Sequence, residues 1–146
     1  MHAAALRLAP EMPCALPKKN ARIRLNISEQ QINRLGRLRS GGTLSDAIAQ
    51  RLQQSGWRVS SDGNSDYLLR GTVTAQAGAN RILALNEITV NAALTMSKPS
   101  GQVVSNVLNR EESYAGNDLS SAYLDVIQEQ ADRVVGQLYA DLCKGR

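Results

Sequence analysis

The sequence predicts an α+β fold, with a single mixed or antiparallel sheet of about four to five strands and two main helices packed on one face. Three observations carry this. Residues 22–28 and 88–96 alternate apolar and polar side chains with the period of a half-buried strand. Residues 44–52 and 119–142 instead repeat apolar side chains at helical intervals. A length of 146 residues supplies one modest core and leaves little for a second.

Residues 1–19 hold three prolines and a Lys18-Lys19 pair without any apolar period, and are read as a flexible amino-terminal arm preceding a single domain over 20–146. From Arg22 to Ser28, Ile23, Leu25 and Ile27 share one face of a strand, with Arg22, Arg24 and Asn26 on the other. Ser28-Glu29-Gln30-Gln31 has the spacing of a capping box. Ile32, Leu35 and Leu38 follow at helical intervals, which predicts a short basic helix or loop carrying Arg34, Arg37 and Arg39. Gly41-Gly42 ends it, and Thr43-Leu44-Ser45-Asp46 caps a firmer helix with Leu44, Ala47, Ile48 and Leu52 on its buried side and Gly56 at its exit.

A brief strand at Trp57–Ser60, a polar turn over 61–65 and a strand at Asp66–Val73 come next. Ile88–Met96 and Gln102–Arg110, joined by Lys98-Pro99-Ser100-Gly101, form a hairpin. Leu119, Ala122, Val126, Ile127, Gln130, Val134, Leu138 and Leu142 then mark one side of a closing helix, ~36 Å long. Phe is absent and aromatic residues make up 3%, so the core is a light one of Leu, Ile, Val and Ala, with Trp57 and four tyrosines as its large fillers.

The net charge of +4 is unevenly spread: residues 1–58 carry ten Lys/Arg against three Asp/Glu, and residues 59–146 carry seven against ten. The basic half faces an anionic partner or solvent. Its candidate contact set is Arg34, Arg37 and Arg39 with Lys18, Lys19, Arg22 and Arg24. Cys14 and Cys143 have no metal or redox spacing. They are either a disulfide, which would tie the arm to the last helix and imply an oxidising compartment, or two unrelated thiols. Glu11-Met12-Pro13 before Cys14 lacks the small residues of a lipidation site, and the apolar stretch at residues 1–6 is too short for a signal-peptide core. No apolar run reaches the ~18 residues of a membrane span.

Catalytic chemistry has little foothold. The one histidine, His2, stands in the arm. Glu111 and Glu112, adjacent on a strand, would point to opposite faces and share neither a proton nor a metal ion. No Gly-x-Ser-x-Gly elbow occurs. Gly36-Arg37-Leu38-Arg39-Ser40-Gly41-Gly42-Thr43 has the glycine spacing of a phosphate-binding loop, but glycine stands where that loop needs its lysine. The expectation is a non-enzymatic protein with no cofactor and no metal. Tyr67 and Arg70 do not amount to the interleaved aromatic and basic strand surface of an RNA-binding module.

The stretch from Leu44 to Val73 has a distinct grammar: a helix with Ala47, Ile48 and Leu52, then Ser55-Gly56-Trp57-Arg58-Val59, then Asp66-Tyr67-Leu68-Leu69-Arg70-Gly71-Thr72-Val73. It resembles bacterial envelope assembly lipoproteins and periplasmic modules. That group comprises the amino-terminal domain of the Tol translocation protein, the activators of peptidoglycan synthases, and the curli-secretion, lipopolysaccharide-assembly and flagellar assembly lipoproteins. The resemblance implies a periplasmic or outer-membrane-associated protein that docks on an envelope partner protein. The alternatives are a binder of an anionic envelope polymer such as lipopolysaccharide, and a cytoplasmic nucleic-acid-binding protein with reduced cysteines.

Overall fold

The computed structural model describes residues 10–33, 43–80, 82, 85–115 and 119–144. In chain order the elements are β1 (Arg22–Asn33), α1 (Leu44–Gln54), β2 (Arg58–Ser60), β3 (Tyr67–Asn80), β4 (Leu85–Ser97), β5 (Val103–Ala115) and α2 (Leu119–Lys144). The strands make one mixed sheet in the order β2-β1-β3-β4-β5. β1 runs parallel to both β2 and β3, while β3, β4 and β5 form an antiparallel meander. The parallel β1–β2 pair requires a crossover, which α1 provides. Residues 61–66 then carry the chain past β1, because Ile23 pairs with Val59 on one side and with Tyr67 on the other.

Strand alternation sorts the side chains into two faces. Ala21, Ile23, Tyr67, Leu69, Val73, Ala75, Ala77, Ile88, Val90, Ala92, Leu94, Met96 and Val107 are buried on the inner face. Leu44, Ala47, Ile48 and Leu52 of α1 and Tyr123, Ile127, Ala131, Val134, Val135, Leu138, Tyr139 and Leu142 of α2 complete the core above it. Trp57 and Tyr67 meet edge to face with ring centroids 5.6 Å apart. The opposite sheet face carries mainly polar side chains, among them Arg24, Arg70, Thr72, Thr95 and Asn106.

α1 begins at Thr43, whose Oγ1 accepts from the Asp46 N–H at 3.1 Å. It ends in a Schellman turn, with Trp57 N donating to Leu52 O at 3.1 Å, Gly56 N donating to Gln53 O at 3.0 Å, and Gly56 at φ 95°. Arg51 joins the helices: its Nε donates to Asp132 Oδ1 at 2.9 Å and its Nη2 to Gln128 Oε1 at 2.6 Å. On α2, the fully buried Gln130 donates from Nε2 to Val90 O at 3.0 Å and to Asn109 Oδ1 at 2.9 Å.

One local expectation is overturned. Ser28-Glu29-Gln30-Gln31 does not cap a helix of its own, because β1 continues through Asn33, paired with β3 as far as Asn33↔Ala77. The Glu29 carboxylate caps α1 instead, accepting from Leu44 N at 3.2 Å and from Ser45 N and Oγ at 2.6 Å each. Residues 34–42 lie outside the described residues.

Of the arm, residues 10–19 lie against the domain: Met12 and Leu16 pack on the core, and Ser55 Oγ donates to Pro10 O at 3.4 Å. Cys14 is joined to Cys143 of α2 by a disulfide with Cα atoms 5.7 Å apart.

Candidate functional site

The end of the sheet where β1 and β3 begin and β4 gives way to β5 concentrates positive charge. Strand register explains how. Arg22 pairs directly with Arg58 across β1 and β2, and both are exposed. Arg24 follows two residues on and therefore points to the same face. Arg70 stands opposite Asn26 on β3, and Lys98 opens the turn between β4 and β5. Like charges directly opposite on neighbouring strands cost free energy unless a counterion relieves them.

Residues 61–66 separate this end into adjoining hollows. One, of about 430 Å³, is lined by Lys18, Lys19, Arg22 and Arg58 with Asn64, Ser65 and Asp66. Another, of about 390 Å³, is lined by Arg24, Arg70 and Lys98 with Asn64, Ser65, Leu68 and Pro99. Asn64 and Ser65 thus belong to both.

Asp66 is already engaged. Its carboxylate accepts from Lys18 Nζ at 2.8 Å and from the Arg22 backbone N–H at 2.9 Å, and these two contacts, Lys18 first, hold its pKa below the usual carboxylate range. Its charge also acts on Arg22, but it forms no ion pair with the guanidinium group of Arg22 or Arg58. The Arg24 Nε is buried with no hydrogen-bond partner among the described residues. Fixed guanidinium and ammonium donors beside hydroxyl and amide groups are suited to holding an anion. Among the described residues no group of three or more His, Cys, Asp or Glu could hold a metal ion. Glu111 and Glu112 face opposite ways: Glu111 turns inward to Arg133 of α2 at 3.3 Å, and Glu112 outward to Arg110 at 2.9 Å.

The candidate contact set read from the sequence is thus divided. Lys18, Lys19 and Arg22 share one hollow and Arg24 lines its neighbour. Arg34, Arg37 and Arg39 lie outside the described residues, as do Gly41 and Gly42 of the phosphate-loop pattern. Asn33, which ends β1, is ~36 Å along the strand from Arg22. Sequence reasoning missed Arg58, Arg70 and Lys98. Arg58 and Arg70 could have been placed on the solvent face from alternation alone, but their proximity to Arg22 and Arg24 depends on a register that no single segment reveals. A second feature of the outer face is a shallow groove of about 290 Å³ beside Leu108, which is 87% exposed, with Ala93, Thr72 and Asn91 along it.

No family model matches the chain, and no curated protein matches it. Solved structures do. A minor lipoprotein from Acinetobacter baumannii superposes with a TM-score of 0.58 at 17% identity, over 86% of this chain and 95% of that one. A protein from Xanthomonas campestris described under the family model DUF330 gives 0.60 at 15% identity, over 95% and 92%. A variant of the PelC dodecamer from Paraburkholderia phytofirmans gives 0.55 at 18% identity, over 90% and 93%. The chain therefore shares the fold of a set of bacterial proteins that includes a lipoprotein. No helix among the described residues is long and apolar enough to cross a membrane.

Proposed function

We propose that this chain is a non-catalytic module of the bacterial cell envelope, standing in the periplasm or against the outer membrane, that works by docking on a partner protein through the basic end of its sheet. The observation that carries the reading is the bridge between Cys14 and Cys143, which fastens the amino-terminal strap to the last turns of α2. Such bridges persist in oxidising compartments and are rare in the cytoplasm. The likeness in fold to the Acinetobacter minor lipoprotein supports the same location. The contact set at this end is the described bases Lys18, Lys19, Arg22 and Arg24.

The test is to fractionate cells producing the full chain and weigh the intact protein before and after reduction. Recovery with the envelope and a gain of roughly two mass units on reduction are expected, since opening one disulfide adds two hydrogens. A free-thiol protein in the cytoplasm overturns the reading and favours a nucleic-acid partner. A photo-crosslinking residue at Lys19 tests the contact itself. It should capture an envelope protein in cells, with the yield falling when Arg22 and Arg58 are changed to Glu. An adduct insensitive to those changes removes the basic end from the interface.

A further inference from the structure

We infer that the basic end of the sheet is a binding site for a ligand carrying two neighbouring phosphate groups. The two adjoining hollows each present a pair of arginines, Arg22 with Arg58 in one and Arg24 with Arg70 in the other, and Asn64 and Ser65 serve both. The hollow of Arg24 and Arg70 adds Lys98. Across these hollows and the smaller one beside Asp62, seven cationic side chains face two carboxylates, those of Asp62 and Asp66. Asp66 is taken up by Lys18 and the Arg22 N–H. Only Lys18 among the seven has an ion pair among the described residues.

Charge left uncompensated in this way is relieved by an anion, and a guanidinium fork matches the oxygens of a phosphate in a two-point contact. Both hollows are lined mainly by charged and polar side chains, which suits an anionic group better than an apolar body. Leu68 and Pro99 are the apolar side chains that line the hollow of Arg24 and Arg70. Two basic hollows with shared polar donors between them fit two phosphates on one ligand better than a single one. The inference rests on the reading of the chain as a binding module and gives its basic end a phosphate ligand besides the partner protein.

The experiment is calorimetric titration of the purified, oxidised full chain with inorganic diphosphate, with inorganic phosphate and with a single-stranded oligonucleotide. Diphosphate should bind about tenfold or more tightly than phosphate, with an affinity that falls as salt screens the arginines. Arg58→Gln and Arg70→Gln should each weaken it several-fold and together by more than about tenfold, while Lys144→Gln leaves it unchanged. Because a variant can fail by misfolding, amide shifts of the unaltered chain give a second readout: perturbations should centre on residues 22–24, 58–66, 68–70 and 97–101. Equal affinity for phosphate and diphosphate, variants that bind as the parent does, tighter binding of the oligonucleotide, or shifts elsewhere overturn the site.

Vesicles of cardiolipin, whose headgroup carries two phosphates, in phosphatidylcholine distinguish the ligand's source. Recruitment displaced by diphosphate supports the site with a lipid headgroup as its ligand. No recruitment, with diphosphate still bound, supports it with a soluble ligand. Recruitment that ignores diphosphate and survives both variants overturns it. All these measurements use purified protein, so their failure removes the site, whereas a cytoplasmic location would remove only the envelope assignment.

Discussion

At Gly71 the ladder between β3 and β4 leaves no space for a side chain. A Cβ there would run into the Ala93 carbonyl group, and the backbone φ of 153° disfavours any other residue. Gly71→Ala should therefore destabilise the fold by about 3 kcal/mol, combining overpacking with backbone strain, which urea unfolding monitored by circular dichroism measures directly. A wild-type midpoint would show that the two strands can separate locally at no cost. Titrating groups act at the same scale. Burial raises the Tyr123 and Tyr139 hydroxyls above the ordinary tyrosine value, so their neutral forms are favoured in the folded chain. That stabilisation is complete below about pH 10 and is lost as pH rises through the folded values. Asp66 works in the opposite direction: the Lys18 and Arg22 contacts lower its pKa, so its contribution is complete above about pH 4 and disappears on acidification. Unfolding midpoints measured from pH 3 to pH 11 should fall at both ends, and Lys18→Ala should flatten the acid limb alone.

At the scale of elements, α1 depends on a carboxylate far from it in sequence. Glu29 on β1 satisfies the Leu44 and Ser45 N–H groups, which have no partner within the helix, and so continues what Thr43 begins. Glu29→Ala should cost about 1–2 kcal/mol and speed hydrogen exchange through the first turn of α1 ahead of the rest of the helix. Uniform exchange along α1 would show that Thr43 suffices. The same residue shows where the sequence was legible and where it was not. Local signals placed α1, its Thr43 cap, the Gly56 exit and the α2 stripe, because capping and helical periodicity lie within a few residues of one another. Ser28 to Gln31 misled for the same reason: Glu29 has the local spacing of a cap, but pairing of β1 with β3 holds the segment extended, so its carboxylate reaches another helix. β3 extends to Asn80 and β4 starts at Leu85, beyond the stretches of clear alternation, because inward positions such as Ala75 and Ala77 carry too little side chain to stand out. The basic end was half legible: Arg22 and Arg24 were marked by alternation, whereas Arg58, Arg70 and Lys98 join them only through register and the passage of residues 61–66.

For the molecule as a whole, the Cys14–Cys143 bridge spans a sequence separation of 129 residues and encloses nearly every element of the fold. A crosslink over so long a loop restricts the unfolded chain strongly, by about 4–5 kcal/mol in the chain-entropy picture. The folded chain gains a second effect, because the strap it fastens presses Met12 and Leu16 on the core and Lys18 then reaches Asp66. A Cys14→Ser/Cys143→Ser variant should therefore melt on the order of 10 °C lower. Its amides over residues 10–20 should exchange faster than those of β3 and β4. The parent protein under reducing conditions should behave in the same way. A shift below about 2 °C would mean that packing of the strap holds the fold without the bridge, and folding in a reducing compartment would then carry no penalty. The full loss would tie stability to oxidation, and with it the positions of Lys18 and Lys19 beside Arg22, so that the basic end is complete only where the bridge can form.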